Sequence, residues 1–119
     1  MGHLHSGHCI PCEGGMASVS ESEIVEYLTT LPGWLVVEVD GVKHLTKSFA
    51  FKNFAYALAF TDRVGELAEQ EGHHPALLTE WGKVTATWWT HAIAGLHQND
   101  FIMAAKTDEA FRVAPGVKS

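Results

Sequence analysis

Between residues 51 and 71 apolar and small side chains recur at helical spacing. Phe54, Ala57, Leu58, Thr61, Val64, Gly65 and Ala68 fall within one wide arc when successive residues turn by about 100°. Lys52, Arg63, Glu66 and Gln70 lie opposite. The pattern predicts one long helix with a single buried stripe. Gly72 then supplies a residue suited to ending a helix, and Pro75 bars its continuation. Upstream, "SESEIVEYL" predicts a shorter helix. Ser20 caps it, Glu23 completes a capping box, and Ile24, Leu28 and Leu31 share a face before Pro32 and Gly33 stop it.

Elsewhere the period shortens to two. Trp34 to Val39 is a β-branched run, Asp40-Gly41 is a turn dipeptide, and Val42 to Phe49 returns as the second strand of a hairpin. The return strand sets Lys43, Leu45, Lys47 and Phe49 against Val42, His44, Thr46 and Ser48. Neither set is wholly apolar, so both inward faces stay open. A second pair, "ALLTEW" and "KVTATWWTH", flanks a turn near Gly82. Alternation places Val84, Ala86, Trp88 and Thr90 on one face and Thr85, Thr87, Trp89 and His91 on the other. "GLHQNDFIMAAKTDEAFRVA" predicts a last helix, capped by Asn99 or Asp100, with Phe101, Ala104, Ala105 and Asp108 at helical spacing. The expected architecture is α+β: a four-stranded antiparallel sheet with three helices packed on one face, in the order α-β-β-α-β-β-α. At 119 residues there is room for one domain, residues 19–119, behind a flexible leader of residues 1–18.

Charge narrows the function. The chain carries a formal −6, and its eight Lys and Arg are scattered, which argues against a nucleic-acid partner. No apolar run approaches the ~20 residues that span a bilayer, so no membrane role is expected. The leader "MGHLHSGHCIPCEGG" lacks both Lys and Arg and an apolar stretch, unlike a secretory signal. Both cysteines, Cys9 and Cys12, lie in it, so the core has no disulfide and a cytoplasmic location is expected. One C-x-x-C is half of a structural zinc site, and His3, His5 and His8 could supply the rest. A zinc-binding leader and a loose tail both remain open.

Histidine is the unusual entry in the composition, with eight in all. Its ring exchanges protons near neutral pH. His73 and His74 leave the long helix together, locked ahead by Pro75, and His91 ends the last strand. Helix packing on the sheet would bring them to one rim. Glu69 lies one turn before His73, and Asp100 is nearby in sequence, as imidazole-orienting carboxylates would be. Plainer readings stand beside these: Glu69 as a solvated helix residue and Asp100 as a helix cap. His44 and His97 read as surface or satisfied core residues. Adjacent histidines diverge in extended chain, and the i, i+4 zinc pattern is absent, so no metal is expected at His73-His74. Trp81, Trp88 and Trp89 suit either sheet packing or the wall of a flat heterocycle site.

The block His73-His74-Pro75, Thr90-His91, Gly95-Leu96 and Asp100, with "LPGW" and "FAFKNFAYALAF" upstream, resembles the pterin-4a-carbinolamine dehydratases, bacterial members above all. The likeness spans residues ~20 to 112. It implies dehydration of 4a-hydroxytetrahydrobiopterin to quinonoid dihydropterin and water, in tetrahydrobiopterin recycling for aromatic amino acid hydroxylation. It implies a hydro-lyase without cofactor or metal, assembled as a homodimer or homotetramer and linked functionally to an aromatic amino acid hydroxylase. The implied catalytic residues are His73, His91 and Glu69; those holding substrate are His74, Pro75, Thr90 and Asp100. Leu77 and Trp81-Gly82 depart from the family's usual aromatic and Tyr-Asn. The likeness also carries a second function, that of animal relatives which serve as dimerisation cofactors of a transcription factor without need of the histidines.

Overall fold

Ser20 opens the first helix as its spacing predicts. Its hydroxyl accepts the Glu23 backbone N–H at 3.2 Å, and its own N–H donates to Glu23 Oε1 at 2.9 Å. That backbone donor holds the Glu23 carboxyl below the ordinary range for a glutamate. In the computed structural model, which describes residues 18–118, the elements are α1 (Glu21–Leu28), β1 (Leu35–Val39), β2 (Val42–Ala50), α2 (Phe54–Glu71), β3 (Ala76–Glu80), β4 (Lys83–Trp88) and α3 (Gln98–Arg112). The order is the expected one. Cys9, Cys12, His3, His5 and His8 lie outside the described residues.

The strands form one antiparallel sheet in the order β1-β2-β4-β3. Asp40 and Gly41 both take positive φ, 52° and 79°, the conformation a two-residue hairpin needs. Register pairs Leu45 with Trp88, Phe49 with Val84 and Leu77 with Ala86. Leu45, Phe49, Val84, Ala86 and Trp88 thereby share one face, and all are buried. Ala57, Phe60, Val64 and Ala68 of α2 and Phe101, Ala104 and Ala110 of α3 complete the core. Phe60, Phe111, Phe49 and Phe51 interlock with ring centroids 4.8 to 5.8 Å apart. Tyr27 of α1 stacks on Phe101 at 4.5 Å.

The face of β2 left open by its sequence is now settled: the set holding Leu45 and Phe49 turns inward and carries Lys47 with it. Lys47 Nζ donates to Asp108 Oδ1 at 2.9 Å and to the Pro32 carbonyl at 3.2 Å. The Trp34 indole N–H reaches both Asp108 oxygens at 3.0 Å. The lysine stem packs while its charge is paired. On the outer face, hydroxyls meet across the central strands, Thr46 with Thr87 at 3.0 Å and Ser48 with Thr85 at 2.9 Å.

Several boundaries differ from expectation. Phe54 and Leu58, predicted for the buried stripe of α2, are each 45% exposed, whereas Phe60 is 2% exposed. The stripe that meets the sheet is the narrower row Ala57, Phe60, Val64, Ala68, and the predicted arc was wide enough to include its flank. Trp34 precedes β1 and is buried beneath it. Strand β4 stops at Trp88, so His91 sits in a single 3-10 turn, His91–Ile93, rather than on the strand. Among the described residues no helix is long and apolar enough to cross a membrane.

Candidate active site

Gly72 closes α2 in the left-handed conformation, φ 64°. The His73 N–H then bonds back to the Ala68 carbonyl at 3.2 Å. This reversal directs the His73 side chain inward. The chain runs extended through Pro75 into β3, and in extended backbone neighbouring side chains point apart. His73 is therefore buried while the His74 side chain is 59% exposed. The histidine pair diverges and does not enter one pocket.

Asp100 is the centre of the buried half. Its Oδ1 lies 2.6 Å from His73 Nε2, and its Oδ2 accepts from Thr90 Oγ1 at 2.8 Å and from the His97 backbone N–H at 2.9 Å. The carboxyl group is 0% exposed, so full satisfaction by hydrogen bonds is what its burial demands. The end of α2, the segment after β4 and the first turn of α3 thus meet on one side chain. An ionised carboxylate only accepts, so the proton shared with it sits on His73 Nε2, and Nδ1 is left with its lone pair. Trp88 Nε1 is the one sealed side-chain nitrogen or oxygen without a partner among the described residues; the His73 side chain keeps 10% exposure. The His73 ring lies nearly parallel to Trp88, 5° apart, with centroids at 5.9 Å.

Asp100 does not cap α3, and neither does Asn99. The cap is His97, whose Nδ1 accepts the Asn99 N–H at 3.1 Å, while Asp100 reaches back from the third helical position. Histidine is not a favoured cap and aspartate is, which is why the expectation fell on the wrong residue. The available signal was spacing, since His97-x-x-Asp100 has the interval of a capping box. His97 and His44 are both buried; His97 accepts a hydrogen bond through Nδ1, and His44 packs on Trp89.

Glu69 approaches His74, not His73. Its Oε2 is 3.6 Å from His74 Nε2, with the glutamate side chain 80% exposed. The i, i+4 relation to His73 fails because the helix ends at Gly72 before completing that turn. Gly65, Ala68, Glu69, His74, Pro75 and Leu77 wall an open groove of roughly 680 Å³. So exposed a pair contributes little to folding. Glu69→Gln is expected to change stability by less than about 0.5 kcal/mol in urea titration.

The structure thus brings His73, Thr90 and Asp100 into one bonded group and Glu69, His74 and Pro75 into a groove. His91 follows Thr90 directly, is exposed, and rests its ring 4.7 Å from Trp89. None of its ring contacts is with His73 or His74 among the described residues. Trp89 in turn meets His44 at 4.1 Å. No group of three or more His, Cys, Asp or Glu is placed to hold a metal ion among the described residues. A carboxylate-oriented imidazole with a free, reachable nitrogen is equipped to move a proton.

A family model described as pterin 4 alpha carbinolamine dehydratase matches residues 17–110. A relative from Chlorobaculum tepidum is 56% identical over 109 residues, covering 92% of this chain and 98% of its own length. Another, from Chlorobium luteolum, is 53% identical over 112 residues, covering 94% and 98%. Both carry the name pterin-4-alpha-carbinolamine dehydratase. A crystal structure from Brucella melitensis, described as a transcriptional coactivator/pterin dehydratase, aligns with a TM-score of 0.72 at 35% identity, over 80% of this chain and 99% of that one.

Proposed function

The chain belongs to the pterin 4 alpha carbinolamine dehydratase family, and on that premise we propose that it removes water from a pterin 4a-carbinolamine by histidine acid–base chemistry. The substrate carries a hydroxyl on C4a and a hydrogen on the neighbouring N5. Breaking the C4a–O bond needs a proton delivered to the departing oxygen. Removing the N5 hydrogen lets its electron pair form the C4a–N5 double bond of the quinonoid product. Two protons move, and no electron is gained or lost overall.

The observation that carries this reading is the His73–Asp100 pair. Asp100 fixes the ring with Nε2 protonated, so Nδ1 is the nitrogen offered to substrate, and the carboxylate stabilises the imidazolium formed when Nδ1 takes a proton. Thr90 and the His97 N–H hold Asp100 in place, so Thr90 and Asp100 act through His73. His91, one residue beyond Thr90, is the second proton-transfer group. His74 and Pro75 bind the flat pterin along the groove, with Glu69 orienting His74. In this reading the substrate is supplied by an aromatic amino acid hydroxylase, the reaction belongs to the recycling of tetrahydrobiopterin, the protein is cytoplasmic, and it works as a homodimer or homotetramer.

The test is the disappearance of chemically generated carbinolamine, followed by absorbance with purified protein. His91→Ala is expected to lower turnover by roughly tenfold to a hundredfold with an unchanged circular dichroism spectrum. Wild-type turnover in a His73→Ala/His91→Ala double variant would refute the mechanism.

A second reading, a dimerisation cofactor, is favoured by one feature: Phe54 and Leu58 leave an apolar strip exposed on α2. The Brucella melitensis neighbour is described as a coactivator as well as a dehydratase. A partner bound there would be retained by His73→Ala and lost on Leu58→Glu.

A further inference from the structure

We propose that Trp89 is a positioning residue that holds the His91 imidazole at the rim of the site, with His44 as its backstop; the inference rests on the reading of His91 as a proton-transfer group. His91 lies beyond the end of β4 in a short 3-10 turn and is exposed, so little protein surrounds its ring. The base of that turn is fixed. Thr90 N–H donates to the Gly95 carbonyl at 2.8 Å, the return bond is 3.4 Å, and Ala94 takes a left-handed conformation, φ 49°, to close the loop. The backbone of His91 is thereby set, but among the described residues its side chain has one ring neighbour, the Trp89 indole, at 4.7 Å and 51°.

The indole is itself in contact with a second imidazole. The His44 ring meets it edge-on at 4.1 Å and 63°. His44 belongs to β2, a central strand bonded on both edges, and is 9% exposed. His44, Trp89 and His91 thus stand in successive ring contact, leading from a central strand of the sheet to an exposed turn. A half-buried indole has few rotamers and a large flat face, so it transmits the rigidity of β2 to a side chain that the turn alone leaves free. Displacement of a reacting group by an ångström costs on the order of a hundredfold in rate, so such support matters most in the catalytic step.

Trp88 and Trp89 divide the work by alternation. The first faces in and lies flat against His73; the second faces out and backs His91. Consecutive tryptophans on opposite faces of β4 and its continuation give each imidazole its own aromatic plate.

The experiment compares Trp89→Ala and Trp89→Phe in the carbinolamine assay and in NMR spectra of the His91 ring. Trp89→Ala is expected to lower kcat roughly tenfold while KM moves less than about threefold, and Trp89→Phe to stay within about threefold of wild type. The His91 ring signals shift and sharpen in the alanine variant only. His91 signals in Trp89→Ala that superimpose on wild type overturn the proposal, as does a phenylalanine variant no better than alanine. Full activity of His91→Ala would instead remove the catalytic reading of His91, and the NMR comparison would still decide whether Trp89 positions the ring. Should Trp89→Ala not fold, His44→Ala leaves both Trp89 and His91 in place; it is expected to shift the His91 signals in the same direction, and their constancy counts against the backstop.

Discussion

His73→Ala is expected to lower kcat by roughly a hundredfold to ten-thousandfold, the range over which a positioned acid–base group contributes. The effect should fall on kcat more than on KM, because the groove walled by His74, Pro75 and Leu77 is untouched. Asp100 keeps its bonds from Thr90 and the His97 N–H, so the fold survives with one carboxylate oxygen relieved of its partner. Stopped-flow turnover of the carbinolamine, set beside thermal melts, measures both. A variant with wild-type kcat would remove His73 from the mechanism.

The second large effect belongs to Asp100, and two substitutions separate its roles. Asp100→Ala deletes an acceptor that three buried groups share. Each donor left unsatisfied costs about 1–3 kcal/mol, and breaking a buried charged pair about 3–5 kcal/mol. Against a total stability of about 5–15 kcal/mol for such a domain, the alanine protein should unfold at a much lower urea concentration. Asp100→Asn keeps the shape. Its amide oxygen must still accept the His97 N–H, which can only donate, and so its NH2 turns to His73. Nε2 then has to accept, and the ring proton moves to Nδ1, where the substrate was to meet a lone pair. The asparagine protein should therefore lie within about 1–2 kcal/mol of wild-type stability yet lose on the order of a thousandfold or more in kcat, as expected when a base is held in the wrong tautomer. Equal losses of stability and activity in Asp100→Asn would show that the carboxylate serves the fold alone.

Local chemistry was the most legible part of the sequence. Ser20 and Glu23 form a capping box because the contact depends on three intervening residues and nothing else. Asp40-Gly41 makes its turn for the same reason, and Val84, Ala86, Trp88 and Thr90 share one face as their alternation required; that face is the buried one because the helices cover it. What could not be read depended on contacts made at long range. Lys47 faces inward only because Asp108, far along the chain, waits there with the Trp34 indole. Phe60 displaced Phe54 and Leu58 from the core because three other phenylalanines converge on it. At the candidate site the residue types could be named from the sequence, but the expected rim shared by His73, His74 and His91 did not predict Asp100 as the centre of a buried group. Nor was the partition foreseeable: Glu69 takes the exposed histidine and Asp100 the buried one, since Gly72 turns the chain through an angle that sequence spacing does not disclose.

The described chain begins in contact with the loop that carries His91. Val19 N–H donates to the Leu96 carbonyl at 2.9 Å, and a Cβ built on Gly95 would lie 3.5 Å from that of Ser18. Ser18 and Val19 thus brace the loop that carries His91, whereas Val117 near the other end is bridged to Phe51 beside the hairpin turn at Gly82. Loosening the Val19–Leu96 bond therefore loosens the anchorage of the His91 loop, while the Val117 bridge steadies the opposite hairpin.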